Sequence, residues 1–467
     1  MKIALIASES NPFCKSGGLA DVVFSLAKEF IAAGHEAIVV IPLYRAIHDK
    51  MVIDSKPIGH FDVNLSWRVH TAEIWQAESG DVPFYFVGDQ YYFGRDNLYG
   101  YDDDGERFAF FSLAAKKLLE LLPFHADIIH VHDWQTAIIP LLLRKEGEYG
   151  PLGHSKTVLT IHNPAFLGLL GGEAIAELFN LQLDPYEWSE IKVWDKVSTL
   201  LCGIAFANRI TTVSPTHAGE LRQNNAYEIG NTLVRRGSDF VGIVNGVDMD
   251  EFDPSKDELI AKKFSTRSLA NNKKLCKKDL FEAYHMPFND GPTFVLVSRL
   301  YEQKGIPLVL DIAEHIVGNG GNLFILGSGE YSYCQAFEGL RAKHPDHIGV
   351  YFGYAAKLSH QVYAGGDFFL MPSLFEPCGI SQMIAQRYAC LPVARDTGGL
   401  HDTIIDGVDG FLFSNYDYGG IRYGVDRALG IYRDQEAFAK MQLSAMKKDH
   451  SWKRSADEYL YLFASLL

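Results

Sequence analysis

The chain has 467 residues, too many for one ordinary domain, and 47% of them are hydrophobic, enough to build two or three cores. A formal net charge of −15, from 43 basic and 58 acidic side chains, argues against nucleic acid or an anionic membrane as the main partner. Six cysteines without a C-x-x-C pair point to reduced thiols in a cytoplasmic enzyme, and neither a signal-peptide core nor a ~20-residue apolar run is present.

The first apolar run, "IALIAS", predicts a strand, and "LADVVFSLAKEFIAAGH" predicts the helix after it. Between them lies "KSGG". Lys15 and two glycines at a helix N-terminus suit an anion, most often a phosphate. A tight turn with a solvated lysine is the other reading. "EAIVVIP" is a second strand. The region from about Lys50 to Phe93 alternates and is broken by Gly and Pro, as antiparallel hairpins are. Its Trp75, Tyr91, Tyr92 and Phe93 suit either a sugar-stacking surface or hairpin packing.

"GERFAFFSLAAKKLLELL" predicts a helix, and "ADIIHVHD", "SKTVLTIHN" and "NRITTVSP" predict further strands. His130 and His132 share a strand face. That spacing admits a metal site with His162 and Asp133, as in metal hydrolases, or plain packing of His130 with Asp133 at the strand end. Residues 242–253 carry turn residues and set the expected domain boundary. The rhythm then restarts with "DFVGIVNG" as the first strand of a second half. "KKFSTRSLANNKKLCKKDL" reads as an exposed helix.

"TFVLVSRLYEQKG" places Arg299 at a strand end and Lys304 near the next helix start, a pair suited to a diphosphate that gains charge as it leaves. "NLFILGSG" and "HIGVYFGY" are strands, and "GSGE" (327–330) reads as a turn because no third glycine completes a dinucleotide fingerprint. In "DFFLMPSLFEPCGISQMIAQRYA" a strand ends and Glu376 follows, closed by Pro377, with Cys378 and Gly379 before a helix. A carboxylate there can accept sugar hydroxyls or stabilise positive charge. "LPVARDTGGLHDTI" repeats the opening theme with Thr397 and two glycines. From about Ser451 an aromatic-rich helix follows, with a return to the first domain as one reading.

Short, wholly apolar strands alternating with helices predict two doubly wound parallel sheets, an α/β architecture whose ligands gather beyond the strands' carboxyl ends. The expected domains are 1–241, 242–450 and a terminal helix at 451–467. The strand-end candidates are Lys15, His132, Asp133, His162, Asn163, Asn245, Arg299, Tyr354, Glu376 and Thr397.

In this order, "KSGGLADV", "ERFAFFS", "HVHDWQTAIIP", "TIHNPAF", "NGVDMDEFDP", "RLYEQKG", "PSLFEPCGISQMIA" and "TGGLHDTI" resemble the bacterial glycogen synthases and plant starch synthases, from Lys2 to about Asp409. The resemblance implies two Rossmann-like domains of the GT-B type with the active site in the inter-domain cleft. It implies a retaining transfer of glucose from ADP-glucose, or UDP-glucose, to the non-reducing end of glycogen or another α-1,4-glucan, without a cofactor or metal.

It also implies roles. Lys15 and Gly18 resemble donor-binding residues. Arg299 and Lys304 look like the diphosphate pair, and Glu376 matches the essential glutamate, with Cys378 and Gly379 beside it on the glucose. His162 and Asn245 resemble groups near the glucose 6-position, Tyr354 the base-stacking aromatic, and Ser381 a residue near ribose and phosphate. Thr397 belongs to the donor side. Asp21 and Asp133 are supporting or acceptor-side residues. Two departures stand out: Ser16 replaces a usual Thr, and Pro164, Phe166 and Leu167 replace an apolar residue, a Tyr and a Gln, removing two polar groups after His162. A transferase with a short sugar acceptor, and a non-catalytic glucan-binding protein, are the alternatives. The intact Lys15, Arg299, Lys304 and Glu376 speak against the second.

Overall fold

A strand that is apolar along its whole length must be covered on both faces, and helical crossovers between parallel strands supply that cover. The computed structural model, which describes residues 1–51 and 56–467, has this arrangement twice. The chain divides into one unit of Met1–Ile243 with Trp452–Leu467 and a second of Val244–Ser451.

In the first unit seven strands run parallel in the order Phe240–Gly242, Arg209–Thr212, Lys156–Ile161, Ile128–His132, Lys2–Ile6, Glu36–Pro42, Val82–Gly88. Arg68–Ser79 and Gly59–Leu65 extend this sheet antiparallel. The alternating region from Lys50 to Phe93 is therefore hairpin-like where it is described; residues 52–55 lie outside the described residues. Trp75, Tyr92 and Phe93 are buried packing residues, whereas Tyr91 is exposed. The terminal helix Trp452–Ala464 packs on the helix Leu19–Ala32, with Phe463 against Phe30.

The second unit is a six-stranded parallel sheet in the order Ile348–Phe352, Asn322–Gly329, Thr293–Leu300, Phe368–Met371, Leu391–Arg395, Phe411–Phe413. No described helix is long and apolar enough to cross a membrane.

Three local expectations are corrected. Phe240–Gly242 closes the first sheet rather than opening the second, because Phe240 pairs with Ile210. The helix Leu269–Ala283 is not simply exposed: Lys273 and Lys277 are buried. The Lys273 ammonium donates to the carbonyls of Ala364 and Tyr388, and that of Lys277 meets Asp367 at 2.7 Å. Gly327 and Gly329 are not a turn but the end of a strand. A Cβ on either would lie about 2 Å from the neighbouring strand's carbonyls of Ser298 and Leu300, so only glycine permits the approach.

Candidate functional site

In each unit the chemistry-bearing side chains follow the carboxyl ends of the parallel strands. In the second unit, Thr293–Leu300 lies beside Phe368–Met371, so the segments that leave these strands become neighbours. Gly305, at φ +72°, lets the R-x-x-x-x-K-G loop close on Pro372: a Cβ there would sit 2.0 Å from the Pro372 carbonyl. The Leu374 amide donates to the Gln303 carbonyl at 2.8 Å.

The contact brings together two charges 72 residues apart. Lys304 Nζ lies 2.6 Å from Glu376 Oε2, and the Ser373 hydroxyl donates to the same oxygen at 3.1 Å. Glu376 is only 6% exposed, so it is an acid held as one partner of a nearly dry ion pair. Arg299 is exposed and forms no ion pair among the described residues. Arg299, Lys304, Ser298, Ser373 and Ser381 line one pocket of about 140 Å³, nearer the size of a diphosphate than of a whole nucleotide sugar.

The E-P-C-G loop is fixed from behind by the T-G-G loop. The Gly399 amide donates to the Glu376 carbonyl at 3.0 Å, and a Cβ on Gly399 would lie 2.2 Å from the Cys378 carbonyl oxygen. Thr397 precedes the short helix Gly398–Thr403 and is buried. Gly379 does not itself open a helix; Ser381–Arg387 begins two residues later, and Gln382 donates to the Cys378 and Gly379 carbonyls. The Cys378 thiol is buried against the Asn245 backbone, and burial pushes it up to about 12, so it stays a neutral thiol. Asn245 presents a buried side-chain oxygen with no partner among the described residues. Tyr354 stands apart, 92% exposed beyond the strand Ile348–Phe352.

In the first unit the K-S-G-G loop differs from the phosphate cradle expected of it. The Ser16 and Gly17 amides donate to the carboxylate of Glu9, at 2.6 and 3.2 Å. Two of the N–H groups offered to an anion are thus already taken by the protein's own buried acid. Burial holds the Glu9 carboxyl above its usual range. Lys15 is half exposed and paired with Asp21 at 2.7 Å, which fixes its direction. Gly18 precedes the helix Leu19–Ala32.

Asp133 sits at φ +53°, a left-handed conformation unusual for a non-glycine residue. Its Oδ1 accepts the amides of His162 and Asn163 at 2.7 and 3.2 Å, and burial raises its carboxyl to about 7. His132 Nδ1 lies 3.0 Å from His162 Nε2, and the ring centroids of His130 and His132 are 4.2 Å apart with the planes tilted by 38°. Burial lowers His162 to about 3 and His132 well below its ordinary value, so the cluster is neutral at pH 7. His130 is tied through its Nε2 to Thr160, and Thr160 to Thr211 and Tyr459 of the terminal helix. Among the described residues no group of three or more His, Cys, Asp or Glu is arranged to hold a metal.

Glu9, His132 as a partner of His162, and Ser373 were not legible as a set. Glu9 does follow a strand end, and that position was its signal.

The family described as "Starch synthase catalytic domain" matches residues 2–235, and the one described as "Glycosyl transferases group 1" matches 279–442. The glycogen synthase of Clostridium perfringens is 39% identical over all of this chain and 98% of its own length. That of Caldicellulosiruptor bescii is 39% identical over the whole of both chains. Among solved structures, the catalytic domain of starch synthase IV from Arabidopsis thaliana, bound to ADP and acarbose, superposes with a TM-score of 0.88. It has 31% identity and covers 99% of this chain and 98% of that one.

Proposed function

This chain belongs to the glycogen synthase and starch synthase family, has its GT-B fold and is a glucosyltransferase, and from that premise we propose the donor and the residue roles that follow. A nucleotide sugar is the donor and a glucan the acceptor. ADP-glucose is the donor of choice, supported by the ADP bound to the starch synthase relative. The observation that carries the reading is the Lys304–Glu376 pair at the edge of a pocket that also holds Arg299.

Transfer breaks the bond between glucose C1 and a diphosphate oxygen. Charge then grows on the diphosphate and positive character on the ring. Arg299 and Lys304 meet the first; fixed cations aimed at developing charge act without reorganisation. Glu376 orients the glucose and favours the cationic ring. The acceptor hydroxyl attacks on the face the diphosphate leaves, and its proton passes to a diphosphate oxygen, giving retention. Asn245, with its unpaired buried oxygen, suits a sugar hydroxyl donor, and His162 serves the same end of the glucose. His132 has no partner for Nε2 among the described residues. A buried N–H without an acceptor is the costlier orphan, so its proton belongs on Nδ1, donated to His162 Nε2. Lys15 and Gly18 assist the donor, Tyr354 stacks on the base, and Ser381 and Thr397 complete the donor side. Cys378 and Gly379 lie beside the glucose, and Asp21 and Asp133 hold Lys15 and the His162 loop. The six free cysteines suit the cytoplasm.

With glycogen as acceptor and a chelator present, ADP-glucose gives rapid ADP release and chain extension, and UDP-glucose is slower. Preference for UDP-glucose overturns the donor assignment, and loss of activity with chelator overturns the metal-free chemistry.

Asp133 also predicts a pH dependence. Its carboxyl is raised in the folded state, so its favourable contribution is complete below pH 4 and is lost as pH rises towards about 7. Asp133→Asn keeps an acceptor for the two amides without the buried charge. Relative to the parent, its advantage grows by about 2 kcal/mol between pH 5 and pH 8. Calorimetric melting at the two pH values measures this; an equal difference at both refutes it.

A further inference from the structure

The strand Ile128–His132 and the residue that follows it hold one neighbour at two points. Asp133 Oδ1 accepts the His162 amide at 2.7 Å, which fixes the backbone, and His132 Nδ1 meets the His162 ring at Nε2, 3.0 Å away. His132 is itself locked in place. It is fully buried, its amide donates to the Thr136 hydroxyl at 2.8 Å, and its carbonyl accepts from the same hydroxyl at 2.9 Å. Its ring packs against those of His130 and His162, with centroids 4.2 and 5.3 Å away.

Burial keeps His132 and His162 uncharged at pH 7. Two neutral imidazoles joined by one N···N contact share a single proton there, and the surroundings of the other two nitrogens decide which ring supplies it. His132 Nε2 is enclosed and has no partner among the described residues. If His162 donated, His132 would carry its proton on Nε2, as a buried N–H without an acceptor. If His132 donates, the orphan is a lone pair, which costs less. His130 follows the same rule: its Nε2 meets the Thr160 hydroxyl at 2.7 Å, and its Nδ1 is the enclosed orphan. His162 Nε2 therefore accepts, and the His162 proton stands on Nδ1. That nitrogen meets no protein group among the described residues, and His162 is only partly buried. His162 thus offers a ligand a donor and not an acceptor.

We propose that His132 is a positioning residue that fixes His162 as an N–H donor and thereby makes the site select a sugar with an oxygen at its 6-position; the selection rests on the reading above that His162 serves that end of the glucose. A hydroxyl oxygen pairs this N–H, whereas the methyl group of a 6-deoxy sugar leaves it unpaired.

The first measurement is a ¹⁵N–¹H NMR spectrum of the full chain labelled at histidine, without ligand, in which His162→Ala identifies the His162 ring signals. The proton is expected on Nδ1 in the parent and, at least in part, on Nε2 in His132→Phe. A parent with the proton on Nε2 overturns the proposal, and this reading needs no variant of His132 to fold. The second measurement compares ADP-glucose with its 6-deoxy analogue as donor. His132→Phe lowers kcat/KM about ten- to thirtyfold with the first and no more than about twofold with the second. His132→Asn, which keeps a donor nitrogen on Cγ, recovers most of the loss. Equal losses with the two donors, as a merely structural role would give, overturn the proposal. Full discrimination retained by His162→Ala would instead remove His162 from the 6-position and the selection with it, an outcome read separately from the tautomer.

Discussion

Glu376→Ala lowers kcat by about 10²- to 10³-fold, while the affinity for ADP changes little. The carboxylate is nearly buried and shares one oxygen between Lys304 and Ser373; in the role proposed for it, the other oxygen serves the sugar. Stabilising a ring that becomes cationic only as the bond breaks is a transition-state effect, so the loss falls on turnover rather than on ground-state binding. Glu376→Gln keeps shape and one acceptor but not the charge, and loses nearly as much. Steady-state rates with glycogen, set beside calorimetric ADP titration, separate the two quantities. Retained turnover in the alanine variant, or equal losses in turnover and ADP affinity, would remove Glu376 from this role.

Lys304→Ala and Arg299→Ala both reduce kcat/KM for the nucleotide sugar by about 10²-fold or more, since in the proposed roles each withdraws a fixed cation from the leaving diphosphate. They differ in stability. Removing Lys304 strands the Glu376 carboxylate in a site with little water, at a cost of about 1–3 kcal/mol. Arg299 is exposed and without an ion pair among the described residues, so its loss leaves melting within about 0.5 kcal/mol of the parent. Lys304→Arg recovers stability in part and activity poorly, because a planar fork does not replace a point charge held 2.6 Å from a single carboxylate oxygen. Thermal melts of the ADP-free variants decide it. Equal stabilities for the two alanine variants would mean that the ion pair contributes nothing and that Lys304 acts on the donor alone.

The sequence determined the fold class of this protein and where along the chain its candidate site residues fall. A strand covered on both faces is written as an unbroken apolar run, and "TFVLV", "DFFLM" and "SKTVLTI" became parallel strands for that reason. The residues that follow such strands are local too, so Arg299, Lys304, Glu376 and His162 were legible with their motifs. What no window of sequence contains is which strand lies beside which. The pairing of Thr293–Leu300 with Phe368–Met371 makes Lys304 and Glu376 partners. The pairing of Phe240 with Ile210 assigns a strand to the first sheet that the resumed apolar rhythm had assigned to the second. Burial of Lys273 and Lys277 depended on carbonyls and a carboxylate about 90 or more residues away. The tertiary structure alone put Glu9 on the Ser16 and Gly17 amides. Periodicity records how much of a segment is buried; it carries no record of the partner that buries it.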